Sequence, residues 1–282
     1  MQRYILTLSC PDRMGIVAAV SNFLLNKQCN IIDSAQFGDE DNQQFFMRVY
    51  FATDRDISAE ELRTLFLDVA TGFKMRWAIH DVNVKHRVML LVSKFGHCLN
   101  DLLYRHRVGA LPIEIPAIVS NHRDFYQLAA ANDIPFHYLP ITPDTKEKQE
   151  QKLLELFNEE RCDLVVLARY MQVLSPSLCA ALNERAINIH HSFLPSFQGA
   201  KPYQQAHHRG VKLIGATAHY VTADLDEGPI IEQDVQRVDH AMSVEACASA
   251  GRDVECAVLA RAVKCHVEHR ILLNGNRTVV FK

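Results

Sequence analysis

Four short, largely apolar runs, the last broken only by Asn188, constrain most of this chain. They lie at residues 88–92, 117–119, 164–167 and 187–189. Stretches of helical spacing separate and follow them, at about 97–107, 122–132, 145–159 and 175–183. Ser175-Pro176 offers a cap and a first-turn proline for the last of these. A strand that is apolar on both faces needs cover on both faces. Such strands alternating with helices predict a Rossmann-like, mainly parallel α/β sheet. Residues 214–221 and 229–235 read as two further strands, and about 244–272 as one long helix.

The first eighty residues have a different rhythm. Tyr4, Leu6 and Leu8 alternate with polar neighbours, as in a half-buried strand. After Gly15, the residues Ile16, Val17, Val20, Phe23 and Leu24 fall at helical spacing. Residues 30–37 and 44–52 read as a hairpin around a polar turn, and Ser58-Ala59-Glu60-Glu61 is a capping box for a second helix. A strand at 75–79 completes a ferredoxin-like βαββαβ order. Residues 81–86 carry no motif and are expected to link the two parts. The predicted domains are therefore 1–82 and 83–282.

Composition narrows the class. Acidic and basic residues number 33 and 30, so the near-neutral balance excludes the basic surface of a nucleic-acid binder. No apolar run approaches the roughly 20 residues that span a bilayer, and the first residues lack a signal-peptide pattern. Eight scattered cysteines without a CxxC pair predict reduced thiols in a cytoplasm, and no structural zinc.

In open parallel sheets, sites form beyond the carboxyl ends of the strands. Asn188 and His190 are two apart on an extended segment, so both side chains point to one side. An amide NH2 and an imidazole aimed at one point make an oxyanion site. Asp226, in a loop, supplies a base if it reaches the same point. These three suit addition at a carbonyl or formyl carbon. Spacing alone leaves other readings open: a strand-end turn at Asn188, a satisfied core histidine at His190, a turn former at Asp226. A metal site from His190, His191 and Asp226 is disfavoured because adjacent strand residues point opposite ways. Ser192 lacks the G-x-S-x-G elbow of a serine hydrolase, and His207-His208 reads as an exposed helix end.

Two resemblances add to this reading. Cys10-Pro11-Asp12-Arg13, then Met14-Gly15-Ile16-Val17 and Asn30-Ile31-Ile32, make residues 3–80 similar to an ACT domain. That implies a homo-oligomer, and near Asp12, Met14, Gly15 and Ile16 either an amino-acid effector, with glycine or methionine expected, or only a tight turn at Gly15 in an oligomerisation module. The run Asn188-Ile189-His190-x-Ser192-x-Leu194-Pro195, then His219-Tyr220-Val221-Thr222 and Leu225-Asp226-x-Gly228-Pro229-Ile230, resembles the folate-dependent formyltransferase domain. The longer string 190–203, with Gly215-Ala216-Thr217-Ala218-His219-Tyr220, is most similar to the branch that deformylates folate with water.

The implied activity is hydrolysis of 10-formyltetrahydrofolate to tetrahydrofolate and formate, with no cofactor or metal and no nucleic-acid or membrane partner. Asn188 and His190 would bind the oxyanion and Asp226 would handle water and proton, with His219 and Ser192 in support. Arg169, Tyr170, Met171, Gln172, Leu174, Thr222 and Asp224 would line the folate slot. The alternatives are a formyltransferase to a small amine, or an amino-acid-sensing regulatory protein. Glycinamide ribonucleotide formyltransferases carry a Gly-rich phosphate loop where this chain has Val92-Ser93-Lys94-Phe95-Gly96-His97-Cys98. One glycine makes a poor phosphate nest, which favours water.

Overall fold

The computed structural model describes residues 1–195 and 202–282. The part of the 190–203 string at 196–201 lies outside the described residues. The chain forms two compact units, Met1–Lys85 with Glu268–Lys282, and His86–Val267.

The first unit begins β1 (Gln2–Pro11), α1 (Ile16–Asn26), β2 (Asn30–Asp39), β3 (Gln44–Thr53), α2 (Ala59–Phe73) and β4 (Arg76–Asp81). This is the expected βαββαβ order. Its antiparallel sheet runs β2-β3-β1-β4. Leu6, Leu8 and Cys10 of β1 point inward, and α1 and α2 cover them with Ile16, Val20, Leu24, Leu62 and Phe66. Each such side chain contributes about 1.5–3 kcal/mol by leaving water. Ser58 caps α2 as the capping box requires, its hydroxyl accepting from the Glu61 N–H at 3.1 Å.

The second unit contains β5 (His86–Val92), α3 (His97–Arg107), β6 (Ile113–Glu114), β7 (Ile118–Ser120), α4 (Tyr126–Ala130) and β8 (Phe136–Tyr138). It continues with α5 (Lys146–Glu159), β9 (Leu164–Leu167), α6 (Pro176–Ala181), β10 (Ala186–His190), α7 (Pro202–Arg209), β11 (Leu213–Tyr220), β12 (Ile230–Arg237) and α8 (Val244–Val267). The main sheet order is β12-β11-β10-β9-β5-β7-β8. It is parallel from β10 to β8, and antiparallel from β10 through β11 to β12. Residues 88–92 of β5 are fully buried, which is why that run carries no polar alternation. Strand order reverses at β5: β7 and β8 extend one way, β9 and β10 the other. That reversal opens a crevice beyond the carboxyl ends of β5, β9 and β10.

The helix expected to reach residue 272 stops at Val267. The chain then makes a hairpin, β13 (Ile271–Asn274) and β14 (Arg277–Val280), turning at Gly275 with φ +64°. The Arg48 guanidinium donates to the carbonyls of Glu268 and His269 at 3.0 and 3.1 Å. Asn274 and Arg277 donate to the buried Asp39 carboxylate at 2.6 and 2.9 Å. These bonds tie residues 268–282 to the first unit. The expected second domain, 83–282, thus loses its last fifteen residues, and its start shifts to His86.

Candidate active site

A cavity of about 250 Å³ opens at the carboxyl ends of β9 and β10, with His219 of the antiparallel β11 in its wall. Pleating sends Asn188 and His190 of β10 to the same side, and both line it. Asp226 arrives from the loop between β11 and β12. That loop is held close by Gly228: a Cβ there would fall 1.7 Å from the Tyr220 carbonyl oxygen. Asp226 itself has φ +60°, the left-handed region costly for a residue with a Cβ.

Three elements therefore bring four polar side chains together. Asp226 Oδ2 is 3.2 Å from His190 Nδ1, and Oδ1 is 3.7 Å from His219 Nε2. Asn188 Nδ2 is 3.3 Å from the same His219 nitrogen. His219 Nδ1 lies 2.9 Å from the Tyr220 carbonyl, so it carries a proton. Nε2 then accepts from Asn188 when the ring is neutral and donates to Asp226 when it is charged. Burial works against the Asp226 charge, yet hydrogen bonds from His190 and His219 hold its carboxyl well below the usual carboxylate range. The group is a buried, ionised carboxylate at neutral pH. His190 Nε2 is buried and has no hydrogen-bond partner among the described residues, so it is free for an incoming group.

The expected folate-slot residues line the same cavity: Arg169, Tyr170, Met171, Gln172, Leu174, Thr222 and Asp224. Met171 N–H is anchored by Ser93 Oγ at 3.0 Å, tying this wall to the end of β5. Ser192 does not line the cavity. It is buried, and its backbone carbonyl accepts from Thr217 Oγ1 at 2.9 Å. In the first unit, Asp12, Met14 and Gly15 are exposed, and Gly15 opens α1 with φ +94°. Ile16 is 2% exposed and faces the core, which removes its side chain from any surface ligand.

Sequence reasoning missed Glu255 on α8, which is fully buried beside this cavity. His97 Nε2 lies 2.7 Å from its carboxylate and Arg169 Nε 3.4 Å, and the Tyr203 hydroxyl donates to it. These bonds and the Arg169 charge keep Glu255 below its usual range although burial opposes it. His97, Cys98 and Glu255 place ligand-type atoms within 4.8 Å of one another. The guanidinium on the same carboxylate opposes a cation there, so the cluster fits an internal ion pair better than a metal. His191, which also lines the cavity, is pushed down to about 4 by burial and by Arg169, and is neutral at pH 7.

A buried carboxylate between two imidazoles, with an amide alongside, suits addition of water to a carbonyl-level carbon. The comparisons agree with that chemistry. A formyl transferase family model matches residues 86–263 and an ACT domain model residues 4–67. A formyltetrahydrofolate deformylase from Corynebacterium sp. (strain P-1) is 50% identical over 281 residues, 99% of this chain and 98% of that protein. One from Bacillus subtilis (strain 168) is 48% identical, over 98% of this chain and 93% of its own length. The crystal structure of a formyltetrahydrofolate deformylase from Burkholderia mallei superposes with a TM-score of 0.96 at 54% identity, covering both chains completely. On this likeness across its whole length, the chain belongs to the formyltetrahydrofolate deformylase family.

Proposed function

We propose that this chain hydrolyses 10-formyltetrahydrofolate to tetrahydrofolate and formate in the β9–β11 cavity. The observation that carries the reading is Asp226, ionised and 3.2 Å from His190, in one cavity with Asn188. The pterin enters between residues 169–174 and the 222–226 loop. The formyl oxygen takes hydrogen bonds from Asn188 Nδ2–H and from His190 Nε2–H.

Water attacks the formyl carbon and the C=O electrons move to oxygen. Asp226 Oδ1, 3.7 Å from His219 Nε2, keeps lone-pair capacity to accept from that water. A carboxylate held so low is a weak base, so it orients water and takes its proton as the new C–O bond forms. The proton passes to the folate nitrogen, the C–N bond breaks with its electrons on nitrogen, and formate leaves. Two oxyanion donors are worth about 10²–10³ each in turnover.

The first unit is read as an amino-acid sensor for glycine or methionine at Asp12, Met14 and Gly15. Free N–H groups at the start of α1 suit a carboxylate. A homo-oligomer is supported by β2, an edge strand with exposed Ile31, Ile32 and Phe37. Every cysteine is a free thiol, which suits a cytoplasm.

The test is formate release from 10-formyltetrahydrofolate by the purified full chain with no amine present. Release supports hydrolysis. An enzyme inert until an amine is added is instead a formyltransferase.

A further inference from the structure

The cavity has two kinds of wall. One is the mostly apolar slot of residues 170–174 and 221–225. The other is formed by Arg169 and His191, with the Glu255 cluster directly behind them. The His191 ring lies 5.2 Å from the His190 ring on one side and 6.3 Å from the Tyr203 ring on the other. The Tyr203 ring packs against the backbone of α8, where a Cβ on Gly251 would fall 2.2 Å from it. Phe95, from the β5–α3 loop, lies under the Arg169 guanidinium at 5.6 Å. Three separate segments, carrying His97, Arg169 and Tyr203, thus converge on one carboxylate.

This cluster is costly to keep. Glu255 is fully buried and Arg169 is 8% exposed. Arg169 Nε and Nη1 have no hydrogen-bond partner among the described residues. A buried ion pair seldom repays its desolvation. Arg169 also sits at φ +66°, where glycine would be unstrained. A chain that holds arginine there against strain and desolvation gains something other than stability.

We propose that Glu255, gripped by His97, Arg169 and Tyr203, is the core of a specificity-determining wall that closes the catalytic cavity to amine acceptors and leaves water as the acceptor. The proposal rests on the hydrolytic reading above and names what enforces it. To react, an amine nitrogen must come within about 3–3.5 Å of the formyl carbon. The folate occupies its own slot, so the amine would have to enter past Arg169 and His191. The Arg169 side chain is packed tightly there: among the described residues its Nε and Nη1 have no surface open to solvent. A water molecule needs only a gap of its own size.

The test compares products from the full-length enzyme, Arg169→Gly, Tyr203→Ala and Tyr203→Phe. Each receives 10-formyltetrahydrofolate with and without glycinamide, and formate and N-formylglycinamide are counted by mass spectrometry. Transfer leaves the C–N bond of the folate broken, a new one formed to the amine, and the amine proton on the folate nitrogen, so no other reactant is needed. The unaltered enzyme should give formate only. Arg169→Gly and Tyr203→Ala should raise the N-formylglycinamide share at least about tenfold, the scale on which pocket shape discriminates between small substrates.

Tyr203→Phe keeps the ring and should give formate only. The two opened variants lie on different segments, so one folded variant suffices, as read by its melting curve. Folded variants that release formate with no added transfer would overturn the proposal. So would loss of formate release from both, which would place the cluster in catalysis. Equal transfer by Tyr203→Phe and Tyr203→Ala would overturn the steric argument. An unaltered enzyme that never releases formate contradicts the hydrolytic reading itself.

Discussion

Asp226→Asn tests the assigned chemistry most sharply, because it preserves shape and removes one charge. Asp226 contacts both imidazoles, at 3.2 and 3.7 Å. Asparagine fills the same space but cannot take the water proton. Loss of acid–base catalysis costs about 10²–10⁴ in rate, or roughly 3–5 kcal/mol of barrier at 1.36 kcal/mol per decade. The loss should fall on kcat, with KM little changed, because the folate slot is lined by other residues. Since the two groups act together, adding His190→Ala should cost much less than its separate effect. The wild-type carboxyl is held far below the usual range, so its own protonation should not limit activity between pH 5 and 9. Formate release followed by a coupled dehydrogenase reads all of this. A folded Asp226→Asn enzyme with kcat within a factor of three of wild type would refute the assignment.

Further outcomes follow from the same geometry. Asn188→Ala should lower kcat about 10²–10³-fold, the usual cost of one oxyanion donor, and leave folate binding measurable by fluorescence titration. Gly228→Ala drives a Cβ into the Tyr220 carbonyl. The loop carrying Asp226 must shift, so kcat should collapse in an enzyme whose melting curve still shows a folded chain. His191 sits at about 4 when folded, below its unfolded value near 6.5. Between those values the unfolded chain binds more protons, so stability should fall as pH drops from about 6.5 towards 4. Urea midpoints at pH 7 and pH 5 should move closer together in His191→Gln.

The strands of the second unit were legible because burial on both faces leaves no polar residue in them, as at 88–92 and 164–167. The short strands β6 and β8, of two and three residues, carry too little pattern to read. The C-terminal hairpin was hidden for a different reason. Ile271, Leu272 and Leu273 extend the apolar content of α8, while the groups that stop it, Arg48 and Asp39, lie over 200 residues away in the chain. Asn274-Gly275 was the available turn signal. In the site, strand alternation placed Asn188 and His190 correctly on one side. Glu255 could not be read, since a glutamate amid helical residues looks solvated until His97, Arg169 and Tyr203 fold onto it. Side-chain direction also misled at Ile16, whose neighbours Met14 and Gly15 are exposed while it faces the core.

The central claim is that a water molecule, and no other acceptor, takes the formyl carbon at Asn188, His190 and Asp226. Turnover in water enriched in oxygen-18 measures this directly. The account predicts formate carrying one heavy oxygen per turnover, at a rate abolished together with activity in Asp226→Asn. Formate without the label, or turnover of formyl-folate that yields no formate, would contradict it.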